Sequence, residues 1–325
     1  MTDPTVPAPA DASRSPATVA LRTAYRLGWS VGPRLSDGAV RRLSQVIGTV
    51  GTRLGGRAVE QVRTNLDALT GRPPSDVLVR AALASWARNL IEAFALPGWT
   101  FEQVLAKVSV RGDGPLRAAV AERGAVVALP HSGNWDLAGA WACLTGMPVT
   151  TVSEELTGSV DTEFAQFLRL RERLGMTVYG HRDPAVLHRL VAAARPGRVV
   201  CLVADRDLLG SGLSVRWGPG PAAPTVTMPA GPALVARRSG AALFPMVARY
   251  TSTGIAMHIG AEVPAQPGRD GLVAMTQQLA DVFARRLARS PEDWHVLVPF
   301  FPDGPSPTAP TAEPTTVMSR DPDQP

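Results

Sequence analysis

Two patterns of apolar residues divide the chain. In the first part, apolar side chains recur at the spacing of a helix, most clearly between residues 38 and 55 at Val40, Leu43, Val46, Ile47, Val50 and Leu54. We therefore predict that residues 17–100 are helical. From about residue 108, short apolar runs alternate with helical stretches, and these runs are residues 124–129, 148–152, 176–179, 198–204, 242–250, 255–261 and 295–299. This alternation predicts an α/β fold with a mixed, largely parallel central sheet flanked by helices.

The two ends of the chain have a different composition. Residues 1–16 are rich in Pro, Ala and Asp, and residues 303–325 are rich in Pro and Thr, so we expect both to be disordered. Residues 17–302 are then one folded domain. The sequence shows neither a signal peptide nor an apolar run of about 18 residues, so no transmembrane helix is expected.

The helical part is strongly basic. Residues 17–58 contain seven arginines and a single acidic residue, Asp37, within a chain of net charge +5. A basic amphipathic helix can lie on an anionic membrane surface, and Tyr25 and Trp29 supply interfacial aromatic groups. Two solvated surface helices are the alternative. Nucleic-acid binding would rest on charge alone, because no recognisable module is present, and we do not expect it.

A histidine follows the first predicted strand of the α/β part directly. In “VVALPHSGNWDLAGAW”, residues 126–141, His131 and Asp136 lie between a buried strand and a helix-compatible segment, and Ser132 and Gly133 are small enough for a substrate to approach. Ligands bind at the carboxyl ends of such strands. A carboxylate on one imidazole nitrogen leaves the other basic. We predict that Asp136 folds back onto His131, which deprotonates a hydroxyl that attacks an acyl donor. A surface histidine near a helix start is the alternative.

Two further groups of charged residues are candidates for the same site. Asp205, Arg206 and Asp207 follow the buried strand at 198–204, where charges are costly to bury unless they are paired, so they indicate either a site or an ion-pair network. If the two strands are neighbours, Asp205 is within reach of His131. Arginines also recur in “FLRLRER”, as a phosphate-binding group or as a solvated helix face, at Arg169, Arg171 and Arg173.

The sequence lacks the motifs by which several classes of cofactor are usually bound. The chain has one lysine, so a phosphate-binding Gly-Lys loop is excluded, and it has no His-Glu-x-x-His motif. Its two cysteines, Cys143 and Cys201, do not make a metal site or a disulfide framework, which favours a reducing compartment. We therefore expect no metal and no bound cofactor.

The motifs taken together resemble a known family. “LPHSGNWDLAG”, “RERLGM”, “VADRDL”, “MPAGPALVARRSGAALFP” and “SPEDWHVLVP”, in this order over residues 17–301, are similar to the bacterial lysophospholipid acyltransferase superfamily. The resemblance is to the branch of lipid A lauroyl/myristoyl acyltransferases and phosphatidylinositol mannoside acyltransferases. “VADRDL” stands where the mannoside enzymes have Ala-Glu-Arg-Asp-Leu, and “PEDWH” is similar to their ending.

The resemblance implies roles for individual residues. It makes His131 the general base and Asp136 its partner in the signature, and it places Asp205 on a glutamate that pairs with the catalytic histidine, although aspartate is one methylene shorter. It also places Glu154 and Arg171 at site positions, in contact with each other or with the donor. We further expect substrate contacts from the residues around the strand ends, namely Ser132, Gly133, Asn134 and Arg206, with backbone amides and Asn134 stabilising the oxyanion.

The resemblance also implies a reaction and a location. The donor is acyl-CoA, as a co-substrate, and the acceptor is a hydroxyl of a lipid-linked sugar, first of all a mannose of phosphatidylinositol mannoside. The protein is expected on the cytoplasmic face of the cell membrane, held peripherally by its N-terminal helices. The alternatives are a lipid A or glycerophospholipid acyltransferase, a thioesterase in which water replaces the acceptor, and a non-catalytic membrane-binding protein on the same scaffold.

Overall fold

The structure is a computed structural model that describes residues 16–154, 161–208, 210–218 and 223–301. The two ends predicted to be disordered lie outside these residues, except for Pro16, with which the first helix begins. Within the described ranges, no helix is both long enough and apolar enough to cross a membrane.

The N-terminal third is helical, as predicted. It contains α1 (Pro16–Val31), α2 (Asp37–Leu54), α3 (Arg57–Thr70), α4 (Asp76–Ala95) and α5 (Phe101–Ala106). The hydroxyls of Ser36 and Ser75 cap α2 and α4 by accepting a backbone N–H of the first turn. Helix α2 lies directly against α4, because Gly48 has no side chain: a Cβ there would come within 2.6 Å of the Arg80 carbonyl oxygen.

The aromatic residues of α1 point into the protein. Tyr25 and Trp29 pack with Phe94 of α4 and Phe167, with ring centroids 4.9–6.0 Å apart. The expectation that these two rings face a membrane is therefore wrong. They join the helical part to the α/β part instead.

A seven-stranded mixed sheet forms the centre of the α/β part, as predicted. Its strand order is β1-β9-β8-β2-β5-β3-β4, and all its neighbours are parallel except β8 and β9. The strands are β1 (Val108–Arg111), β2 (Ala125–Leu129), β3 (Val149–Ser153), β4 (Thr177–Gly180), β5 (Val199–Val203), β8 (Ala242–Tyr250) and β9 (Ile255–Ile259). A separate antiparallel hairpin is formed by β6 (Leu213–Arg216) and β7 (Thr225–Met228).

Helices cover both faces of the sheet. They are α6 (Asp113–Arg123), α7 (Trp135–Leu144), α8 (Asp161–Arg173), α9 (Val186–Ala193), α10 (Gly231–Ser239) and α11 (Gly268–Leu287). Alternate residues of β2 divide between the two layers: Val127 and Leu129 pack with residues of α6 and α7, whereas Val126 and Ala128 pack with residues of α9, α10 and α11. This fully buried strand reads as an unbroken apolar run because both of its faces are covered.

The strand predicted at residues 295–299 is absent. Residues 295–299 have no regular structure, although Val296 and the preceding Trp294 are buried in the core. The side-chain amide of Asn65, in α3, donates to the carbonyls of Val296 and Val298, at 2.8 and 2.9 Å. A side chain thus replaces the ladder of hydrogen bonds that a neighbouring strand would supply, which the apolar pattern alone cannot reveal.

Replacing Asn65 by alanine should destabilise the protein by about 1–3 kcal/mol, because two backbone carbonyls, one of them in the interior, lose their donor. The exposed Thr64→Ala variant on the same helix is the control, and a change within about 0.5 kcal/mol is expected for it. Urea unfolding measures both. Equal stability of the two variants would contradict the assigned role of Asn65.

Candidate active site

His131 and Asp205 meet because their strands are parallel neighbours in register. Leu129 of β2 lies opposite Val203 of β5, and each charged residue follows its strand by two positions. His131 Nδ1 lies 2.6 Å from Asp205 Oδ1, and the His131 backbone N–H donates to Asp205 Oδ2 at 3.0 Å. The shorter acid therefore reaches the imidazole directly.

Asp205 is completely buried and carries a charge that its surroundings stabilise. Burial alone would raise the pKa of its carboxyl, but the imidazole of His131 and three hydrogen bonds outweigh burial, so the pKa lies below its usual value. One of these bonds comes from the indole N–H of Trp294, at 3.0 Å. A charged carboxylate on Nδ1 fixes the tautomer of His131 in which Nε2 is free to accept a proton.

The other side of His131 faces an apolar cavity. The side chain is 25% exposed, and its ring lies edge to face with Trp135, with centroids 5.6 Å apart. The cavity has a volume of about 330 Å³, and most of its wall is apolar. It reaches from Val203 back to Val199 along β5, which corresponds to about 13 Å of strand. A basic nitrogen thus lies beside a space suited to an apolar chain.

Asp136 contacts Arg171 and not His131, so the expectation that it folds back onto the imidazole is wrong. Arg171 Nε donates to Asp136 Oδ1 at 2.6 Å, and its Nη1 donates to the Ser153 hydroxyl at 3.2 Å. The reason is geometric: Asp136 lies in the first turn of α7, where its carboxylate meets Arg171 of α8, and Asp205 already holds Nδ1 of His131. Burial alone would lower the pKa of Arg171, but Asp136 reverses this and raises it.

Ser132, Gly133 and Asn134 are buried inside the protein, so their predicted contact with substrate finds no support in the geometry. Gly133 has φ +58°, and a Cβ there would lie 2.9 Å from the Cβ of Ala248, so packing against β8 explains its small size. Asn134 is completely buried, its amide donates to Glu92 at 2.9 Å, and its side-chain carbonyl accepts from the Leu137 N–H, so its predicted contact with an oxyanion finds no support in the geometry either.

The other predicted site residues line the apolar cavity. Glu154 is exposed at the end of β3, and Arg206 lines both this cavity and the adjoining groove that contains Asp205 and Asp207. Arg171 also lines the cavity. It pairs with Asp136, so the contact between Arg171 and Glu154 that was one of the expectations is not formed. In the part of the chain that is described, no group of His, Cys, Asp or Glu is arranged to hold a metal ion.

Residues that the sequence did not reveal hold the loop of His131 in place. Glu92, buried on α4, bonds Asn134 and pairs with Arg88 at 2.7 Å. From the C-terminal segment, the carbonyl of Asp293 accepts the Gly133 N–H, and the His295 N–H donates to the His131 carbonyl at 2.8 Å. No spacing rule marks a buried glutamate within a helix. The motif “PEDWH” was visible, but only as a sign of family membership.

Ser85, Asp293 and His295 form a second cluster that is not a nucleophilic triad. The Ser85 hydroxyl contacts Asp293 Oδ1 at 2.6 Å and His295 Nε2 at 2.9 Å, so the carboxylate contacts the serine instead of orienting the imidazole. Burial, with a smaller effect of His131, lowers the pKa of His295 to about 3. The imidazole is therefore neutral at physiological pH and serves the packing of the loop.

The buried neutral His295 should make stability depend on pH. Its folded pKa of about 3 lies below the ordinary value of 6.5, so the unfolded chain binds the extra proton first, and stability falls as pH decreases from about 6.5 toward 3. We expect His295→Gln to be less stable than the native chain at pH 8, with the difference shrinking by about 1.4 kcal/mol per pH unit below pH 6. Urea unfolding across pH measures it. A difference that stays constant with pH would refute this.

Comparison with known proteins identifies the family of this chain. The model of the bacterial lipid A biosynthesis acyltransferase family matches residues 14–302. A phosphatidylinositol mannoside acyltransferase of Mycolicibacterium smegmatis is 39% identical over 284 residues, which cover 84% of this chain and 90% of that protein. One from Mycobacterium tuberculosis is 36% identical over 301 residues, 90% of this chain and 92% of the relative. A histidine with a buried carboxylate partner beside an apolar cavity suits acyl transfer, and the chain belongs to the bacterial lipid A biosynthesis acyltransferase family.

Proposed function

We propose that this acyltransferase moves a fatty acyl chain from acyl-CoA onto a mannose hydroxyl of a phosphatidylinositol mannoside. The observation that carries the proposal is the environment of His131: Asp205 holds Nδ1 at 2.6 Å, and the ring lies in the wall of the apolar cavity. This arrangement provides a general base where an acyl chain can be bound.

The cavity supports a long-chain donor. Its wall includes Val127, Trp141, Val149 and Met246, with Val199 at its far end, and each methylene buried among such side chains contributes about 0.8 kcal/mol to binding. A chain inserted along β5 brings its thioester carbonyl to the end near His131. The apolar wall thus selects an acyl group, while the polar part of the donor stays outside it.

The reaction needs one proton relay. His131 Nε2 takes the proton of the acceptor hydroxyl as its oxygen attacks the thioester carbonyl, and a tetrahedral oxyanion forms. Collapse of this intermediate breaks the carbon–sulfur bond, and the imidazolium returns the proton to the departing thiolate. Asp205 stabilises the imidazolium through Nδ1. The N-terminal end of α7 and Arg206, both at the cavity, supply positive potential for the oxyanion.

The ion pair between Asp136 and Arg171 has a positioning role in this scheme. Both residues line the cavity, and the pair joins the start of α7 to α8 and, through Ser153, to the end of β3. It therefore fixes the cavity wall next to His131. The signature aspartate acts on the shape of the site and not on the tautomer of the base.

The names of the relatives support the proposed acceptor. Two proteins that are 39% and 36% identical carry the name phosphatidylinositol mannoside acyltransferase, and both align over most of their length. Incubation with labelled palmitoyl-CoA and separate acceptors tests the proposal by mass spectrometry: phosphatidylinositol mannosides, a lipid A precursor, lysophosphatidate, and water alone. Acylated mannoside as the main product is expected. Transfer to another acceptor, or hydrolysis alone, would refute the proposed acceptor.

His131→Ala should lower acyl transfer by about 10²–10⁴-fold without unfolding the protein, because the general base is lost. Asp205→Asn should cause a loss of similar size, and the double variant should be little worse than either single one, since the two residues act as a unit. Initial rates with palmitoyl-CoA measure this, and circular dichroism checks the fold.

Asp183→Asn makes the same chemical change in a turn after β4 and is the matched control, with a rate near that of the native chain. If the losses of His131→Ala and Asp205→Asn multiplied in the double variant, the proposed unit of base and carboxylate would be wrong.

We also propose that α1 and α2 hold the protein on the cytoplasmic face of an anionic membrane. Helix α2 leaves a row of apolar side chains exposed on one of its faces, and α1 exposes two more apolar side chains. These exposed residues are Leu27, Val31, Leu43, Val46, Ile47, Val50 and Leu54. Arg42 and Arg53 are exposed on α2 as well. An apolar row with neighbouring arginines is the pattern by which a helix lies in a lipid interface.

Val46→Asp together with Val50→Asp should reduce binding to vesicles strongly, because two charges then replace exposed apolar groups in the lipid-facing row. Binding of the native chain should rise with anionic lipid and weaken with salt, since charges are screened over about 8–10 Å. Vesicle sedimentation measures both. Val77→Asp, an equally exposed site on α4, is the control, and equal loss in it would contradict the assignment of this surface.

A further inference from the structure

A second pocket of about 620 Å³ lies on the opposite face of the sheet from helix α7. It is bounded by β1, β8, β9 and the C-terminal end of α11, and its wall contains Val247, which packs with the α11 layer. Four arginines and a histidine line it: Arg111, Arg249, Arg286, Arg289 and His258. We call it the basic pocket.

The positive charge of the basic pocket is not balanced by the protein. Its lining contains no Asp or Glu, and among the described residues none of its four arginines forms an ion pair. Some arginines elsewhere in the described chain have acidic partners, for example Arg63 with Asp76, at 2.6 Å. Like charges gathered in one concavity repel each other, which an anion would relieve.

The α11 helix accounts for only part of this cluster. Cationic side chains near a helix C-terminus interact favourably with its dipole, which explains Arg286 and, just after the helix, Arg289. Arg111 and Arg249 come from β1 and β8, and no helix end requires them there. Four cations from three elements therefore converge on one space.

His258 orients one of these arginines. Its Nε2 contacts Arg286 Nη2. Burial, and after it the charges of Arg286, Arg111 and Arg289, lower the pKa of His258, so its ring accepts a hydrogen bond as a neutral group at pH 7. The guanidinium is thereby held at the pocket wall, and the hydroxyls of Ser109 and Ser290 line the same wall.

We propose that the basic pocket binds a phosphate ester. Guanidinium groups bind phosphate oxygens in pairs of parallel hydrogen bonds, and four of them match a dianion or a bisphosphate better than a single carboxylate. The inference does not depend on the proposed acyl transfer, because it uses none of the residues around His131. The ligand is a soluble phosphate ester or the phosphodiester of a lipid headgroup.

Isothermal titration of the full chain with pyrophosphate and with adenosine 3′,5′-bisphosphate tests the soluble source. Sedimentation with phosphatidylcholine vesicles, with and without phosphatidylinositol, tests the headgroup. We expect binding of at least one of these probes, weakened about tenfold or more by Arg111→Gln combined with Arg249→Gln. Both side chains are exposed, so this variant should fold, and each single variant provides a second measurement.

Arg269→Gln is the matched control, because it removes the same charge from the start of α11, about 25 Å along the helix from Arg286. Affinity within twofold of the native chain is expected for it. Binding of neither soluble probe and no preference for phosphatidylinositol would overturn the proposal. An equal loss in Arg269→Gln would also overturn it, since the effect would then be one of net charge.

Discussion

The parallel register of β2 and β5 is the constraint on which the site depends. Leu129 lies opposite Val203, and the chain continues for two residues beyond each strand before the side chains of His131 and Asp205 meet. A shift of one residue between the strands would move the two apart by about 3.3 Å and place neighbouring side chains on opposite faces. The sheet is therefore the element that sets the distance between His131 and Asp205.

Two other parts of the fold complete the environment of His131. Glu92 of α4 bonds the cap of α7, and the segment from Asp293 to His295 bonds both ends of the tripeptide His131–Gly133 and supplies the Trp294 donor to Asp205. Each of these groups is buried, so their hydrogen bonds are costly to break. His131 is thus held by hydrogen bonds at its backbone and at Nδ1, and its side chain lies in the wall of the apolar cavity.

Much of this arrangement follows from local sequence, and the rest depends on contacts distant in the chain. Periodicity predicted the helical first third, the mixed sheet and the strand ends that carry His131 and Asp205, because those signals lie within ten residues. It failed for Asp136, whose partner Arg171 is 35 residues away, and for the irregular segment at 295–299, which is satisfied by Asn65 from α3. The prediction for Tyr25 and Trp29 was wrong for the same reason, because their partners Phe94 and Phe167 belong to helices that are distant in the sequence.

The hydrogen bonds between the His131 loop and residues 293–295 make the site depend on the end of the folded chain, although these residues do not line the apolar cavity. A chain terminated after residue 290 would keep every strand of the sheet, both His131 and Asp205, and every residue that lines the apolar cavity. It would lose the acceptor for Gly133, the donor to the His131 carbonyl and one donor to Asp205. It would also lose Trp294 and Val296 from the core and leave the buried amide of Asn65 without its two acceptors, so premature termination there would disturb the site and the stability of the fold together.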